Sequence, residues 1–207
     1  MFRNSLCQSI LLVMAAMSPA AGFAMELTPP QADLYSSVSI NPPSASEMTV
    51  CYGFVCRRRA TLAFSGADRK ALAHILSAGK ANAAAERAAL QKAVIWFDRR
   101  VGPMIGTTRR VAKADIRAGS DATNFDCFDT TRDTTSLLLV LQEWKLLKFH
   151  KVGNPRYRGN LLALQTPHNT AVVVDKATGI EWVVDLWPKN YAEAPDVMPV
   201  ERWLKED

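Results

Sequence analysis

The stretch Asn124–Leu141, NFDCFDTTRDTTSLLLVL, decides the fold. Asn124 or Asp126 supplies the kind of side chain that caps a helix, and Cys127 then falls in the first turn. Leu137 to Leu141 are five consecutive apolar residues, so the middle of this helix has no polar face and must be buried nearly all round. The pattern carries on through QEWKLLKF, which predicts a helix reaching residue 149 with His150 at its end. Beyond Gly153 and Pro155 the periodicity changes. LLALQ (161–165), TAVVV (170–174) and EWVVDLW (181–187) are apolar, β-branched runs of strand length. The last two are joined by Asp175-Lys176-Ala177-Thr178-Gly179, a good hairpin loop.

Working upstream, Gly102, Pro103, Gly106 and Gly119 punctuate a connection over 102–124. Before it, Ser65 with Asp68 reads as a capping box that opens an alanine-rich helical region, divided at Gly79 and ending near Val101. Leu90, Val94, Phe97 and Val101 recur at helical spacing and should face the core. TVCYGFVC (49–56) reads as a strand or tight hairpin held by its cysteines. Residues 25–48, with Pro29, Pro30, Pro42, Pro43 and several serines, read as a flexible lead-in. Helices first and an antiparallel sheet last give an α+β fold, in which the helix carrying the cysteine packs on the sheet.

The N-terminal run ILLVMAAM (10–17) follows Arg3 and precedes the small residues SPAAGFA, the form of a secretory signal peptide over 1–24. Cleavage after Ala24 is the first choice and after Ala21 the second. The run is well short of the roughly 20 apolar residues of a transmembrane helix, and no cysteine at the cleavage point offers a lipid anchor. The expected location is periplasmic or secreted. Of 207 residues, 48% are hydrophobic and 22% charged, a composition that excludes disordered and collagen-like chains. One domain over 49–207 follows the lead-in. Without 1–24 the chain keeps 24 basic against 20 acidic residues. Its basic clusters, Arg57-Arg58-Arg59, Arg99-Arg100 and Arg109-Arg110, are dispersed and read as solvated surface rather than a nucleic-acid footprint.

The four cysteines divide by position. Cys7 leaves with the signal, and Cys51 and Cys56 stand close enough for a local disulfide turned at Gly53. Cys127 is left over in an oxidising compartment. Unpaired N–H groups at a helix N-terminus favour a thiolate and can hold an oxyanion, whereas Asp126 and Asp129 raise the thiol pKa, so a histidine partner is needed. His74 lies mid-helix, and His150 would be about 35 Å along the helix from Cys127. His168 opens the strand HNTAVVVD. Cross-strand partners around the hairpin loop sum to about 354; a sum of 355 sets Thr170 opposite Asp185 and puts His168 one diagonal step away on the same face. Asp185 sits inside an apolar strand, where a carboxylate needs a partner, and an imidazole would satisfy it.

Cys127 at a buried helix's start, His168 on one strand and Asp185 on the next resemble the transglutaminase-like branch of the papain-like cysteine enzymes. More closely, DCFDTTRDTTSLLLVL, PHNTAVVVD and GIEWVVDLW, with the upstream paired-cysteine segment CYGFVC, are similar to a bacterial secreted family of transglutaminase-like cysteine peptidases. The resemblance runs from residue 49 to 204 and is best over 124–188. It implies a papain-like core with Cys127 as nucleophile, His168 as general base and acid, and Asp185 as the orienting carboxylate. Asn124 is the nearest side-chain amide for an oxyanion hole, and the Cys127 backbone N–H is its safest member. Trp187, beside the strand of Asp185, reads first as a core aromatic and second as a wall of the site.

The chemistry expected is acyl transfer on a peptide or carboxamide through a thioester, with hydrolysis as the default and neither metal nor organic cofactor required. The partner expected is a protein or peptide substrate, with an envelope component among the candidates, and no nucleic acid. Two other readings stand beside it. One is a secreted peptide-binding or assembly module without turnover, and the other makes Cys127 an intermolecular disulfide former.

Overall fold

The computed structural model describes residues 25–114, 117, 119–160 and 166–206. The signal segment 1–24 and the expected strand LLALQ lie outside the described residues. The architecture is α+β. In chain order the elements are α1 (Pro29–Ser36), β1 (Glu47–Tyr52), β2 (Arg58–Ala63), α2 (Gly66–Ser77), α3 (Ala83–Ile105), α4 (Cys127–Glu143), β3 (His150–Val152), β4 (Arg156–Arg158), β5 (His168–Asp175), β6 (Glu181–Asp185), β7 (Asp196–Pro199) and α5 (Val200–Trp203).

α4 lies between the β1–β2 hairpin and β5 of the main antiparallel sheet, whose order is β3-β5-β6-β7 with β4 also paired to β5. That position explains its sequence. Leu137 to Leu141 are all buried, and so is every residue from Asp129 to Ser136. The helix stops earlier than its apolar pattern suggests. Trp144 caps it, Lys145 turns left-handed (φ 59°), and His150 is on β3 opposite Asp175 rather than at the end of α4. The backbone N–H groups of Lys148, Phe149 and His150 all donate to the Glu86 carboxylate on α3, which holds this segment extended.

Three other expectations are corrected. Residues 25–48 are not a loose lead-in: Thr28 and Gln31 form a capping box for α1, the Gln31 amide donates to the Gly153 carbonyl at 3.0 Å, and buried Tyr35 shares a 3.0 Å hydrogen bond with Ser136 of α4. Periodicity is hard to see in an eight-residue helix that begins Pro-Pro. α3 continues to Ile105 with Pro103 inside it, and Gly106 ends it in the left-handed conformation. A Cβ at Gly102 would lie 2.4 Å from the Tyr191 ring, so this last turn is packed closely. Arg110 is buried, not solvated, and forks onto Asp98 of α3 at 2.8 and 2.6 Å, tying down the connection after α3.

Elsewhere the local signals hold. Ser65 and Asp68 make the capping box of α2, Leu90, Val94, Phe97 and Val101 face the core, and Ala171 pairs with Val184, the register with sum 355. The disulfide Cys51–Cys56 is formed. Inside it, Gly53, Phe54, Val55 and Cys56 follow one another with φ of 73°, 72°, 50° and 54°. Left-handed backbone costs a non-glycine residue roughly 1–2 kcal/mol, so this turn persists only because other groups hold it.

Candidate active site

Cys127 is the first residue of α4, and the helix presents it beside the start of β5. Its Sγ accepts a hydrogen bond from the backbone N–H of Asn169, the residue after His168. His168 Nε2 lies 2.6 Å from Asp185 Oδ2. The 355 register therefore does what the strand pattern called for: it brings the His168 ring and the Asp185 carboxylate to one face. All three groups are secluded, with Cys127 at 7% exposure and His168 and Asp185 at 2%. Nδ1 of His168 is buried and has no hydrogen-bond partner. His74 is exposed on α2, and His150 is fully buried against Glu86; neither is part of this group.

Two tryptophans enclose the histidine. Trp187 is half-buried with its ring centroid 4.6 Å from that of His168, and its indole N–H donates to Ala114, so it lines the site instead of filling the core. Trp203, on α5, stands 5.4 Å away and donates its indole N–H to Asp185 Oδ2 at 2.9 Å, the oxygen that His168 also contacts. No local pattern marks Trp203, which comes 18 residues after Asp185 in a short helix. Arg158, opposite His168 on β4, stacks its guanidinium 4.3 Å over the Trp203 ring and donates to the Trp203 and Glu206 carbonyls.

At the helix start, Asp126 is the N-cap. Its Oδ1 accepts the Asp129 N–H at 2.7 Å. Asn124 serves a different purpose from capping: its Oδ1 accepts from Val111 N–H at 3.0 Å and its Nδ2 donates to Asp121 at 3.0 Å, bracing the connection before α4. The Cys127 thiol is pushed up to about 11, first by burial and then by the Asp126 and Asp185 charges, against the Asn169 N–H that pulls it down. Burial also raises Asp126 and carries Asp129 to about 7, the latter helped by the Asp126 charge, while burial holds Asp133 well above the carboxylate range. Among the described residues no cluster of three or more His, Cys, Asp or Glu side chains is placed to hold a metal ion.

No family model, curated protein or solved structure matches the chain. The site therefore rests on its own geometry: a secluded thiol at a helix start, and a buried histidine at the start of β5 whose Nε2 is held by a carboxylate.

Proposed function

We propose that the chain is a secreted or periplasmic thiol enzyme of the transglutaminase-like cysteine peptidase kind, with a papain-like core, that hydrolyses or transfers a peptide or carboxamide acyl group. The observation that carries this reading is the two-sided environment of His168. Asp185 takes the Nε2–H, which leaves the lone pair on Nδ1, and Nδ1 is buried without a partner beside the strand residue that holds Cys127 Sγ. A thiol held near 11 is neutral at pH 7, so the base must act as attack occurs. His168 Nδ1 takes the thiol proton as sulfur adds to the carbonyl, and the Cys127 backbone N–H at the start of α4 donates to the oxyanion. The imidazolium then protonates the leaving amine, and water activated by the same nitrogen releases the acyl group from the thioester. A second amine in place of water would make the product a ligated or crosslinked protein.

Location in an oxidising compartment draws support from the Cys51–Cys56 disulfide and the signal-like segment 1–24. Among the described residues no helix is long and apolar enough to cross a membrane. A binding module without turnover is favoured by one observation, the unfavourable charges around the thiol. An intermolecular disulfide through Cys127 is disfavoured by its burial.

The test is the rate at which a thiol-directed alkylating probe labels Cys127 near neutral pH. Fast labelling that falls at least tenfold in His168→Ala is expected. Equal, slow labelling of both proteins would end the enzymatic reading and leave the binding module.

A further inference from the structure

The left-handed turn inside the disulfide is bound to the same helix start as the thiol. Amides of the turn and of Cys51 before it donate to α4, to its N-cap and to the residues just ahead of it. Cys51 N–H donates to Asp133 Oδ1 at 2.9 Å, Phe54 N–H to Asp129 Oδ2 at 2.9 Å, Cys56 N–H to Asp129 Oδ1 at 2.6 Å, and Val55 N–H to Asp126 Oδ2 at 2.8 Å. Gly53 N–H donates to the Asn124 carbonyl at 2.9 Å. Asp126 thus works in two directions, with one oxygen on the turn and the other capping the helix that begins with Cys127. Asp129 is fully buried with both oxygens committed to the turn. Within the turn, Phe54, Val55 and Cys56 are non-glycine residues in a conformation that such residues avoid, and Val55 is β-branched as well. The Cys51–Cys56 disulfide spans these residues.

We infer that the Cys51–Cys56 disulfide is a redox lock on the reactivity of Cys127, acting through the 53–56 turn and the Asp126 and Asp129 carboxylates. The inference rests on the reading of Cys127 as a nucleophile. A dithiol reductant breaks the Sγ–Sγ bond: each sulfur gains one electron and one proton, and the reductant departs as its own disulfide. The freed chain relaxes toward negative φ and withdraws its N–H groups from α4. Asp129 then lacks donors for both oxygens, and Asp126 loses the contact that fixes it as the cap. The first turn of α4 loosens, and with it the placement of the Cys127 thiol and N–H against His168. Asp126 and Asp129 act here as positioning residues, since neither touches the reacting atoms.

The experiment uses the chain from residue 25 in three states: oxidised, reduced with a small dithiol that is then removed, and Cys51→Ser/Cys56→Ser. Two readouts are taken, the Cys127 labelling rate resolved by peptide mass and amide hydrogen exchange over 53–56 and 127–131. Reduction and the double variant should each slow labelling at least fivefold and speed exchange in both segments together, with β5 and β6 still protected. Reoxidation should restore the reduced sample. Asp129→Asn with the disulfide intact should give the same paired loosening, which guards against a double variant that does not fold. A smaller change in labelling, or exchange rising across the whole sheet, overturns the lock. His168→Ala separates the two proposals: it should slow labelling without changing exchange in either segment. Rapid labelling in that variant overturns the catalytic reading alone, because the exchange response to reduction is independent of it.

Discussion

Trp203 shows how a single side chain completes the site from a distance. Asp185 Oδ2 receives the Trp203 indole N–H at 2.9 Å and faces His168 Nε2 at 2.6 Å, so the indole fixes the carboxylate that fixes the imidazole. A hydrogen bond to a charged group is worth about 1.5–3 kcal/mol, so Trp203→Phe, which keeps the ring packing, should slow Cys127 labelling about 10-fold or more. The measurement is a pH profile of labelling together with a melting curve, because a purely structural ring would shift the melt and leave the profile in place. At this scale the sequence was half legible. Asp185 betrays itself as a charge within EWVVDLW, but Trp203 belongs to no local pattern that points to Asp185.

At the scale of elements, the start of α4 sets the electrostatics of the thiol. The Asp126 charge holds the Cys127 pKa up, so Asp126→Asn, which can still cap the helix, should move thiol ionisation down from about 11. The pH midpoint of Cys127 labelling in a His168→Ala background measures this directly, and the expected shift is to lower pH. The same element shows where pattern reading stops. Its start and its apolar middle are local facts, whereas its end is set by Glu86, which captures three successive N–H groups from another helix and turns the chain into β3. The hairpin of β5 and β6 was legible because a loop of fixed length and a period of two leave few registers.

Across the whole molecule, Glu86 joins α3 to β3 and is buried. Burial pushes its carboxyl up, but the hydrogen bonds from His150, Phe149 and Lys148 outweigh it and hold the group below its usual value. A carboxyl depressed in the folded state contributes stability above its unfolded pKa and loses it as pH falls through the folded one. Glu86→Gln should therefore destabilise the protein by about 1.5–3 kcal/mol at pH 7, with the difference from the parent narrowing as pH falls below about 4.3. Urea denaturation of both proteins across that range gives the measurement.

The sequence by itself determined the helix that carries Cys127, the hairpin that carries His168 and Asp185, the closeness of Cys51 and Cys56, and the α+β order. These follow from periodicity, capping and loop length, which act over a few residues. Only the tertiary structure decided that α1 packs against α4, that Arg110 is buried on Asp98, that Trp203 reaches Asp185, and that Asp126 and Asp129 grip a left-handed turn. Each of these is a partner choice between residues far apart in the chain. Burial forces a polar group to find a partner but does not say which one, and only the packed chain supplies the answer.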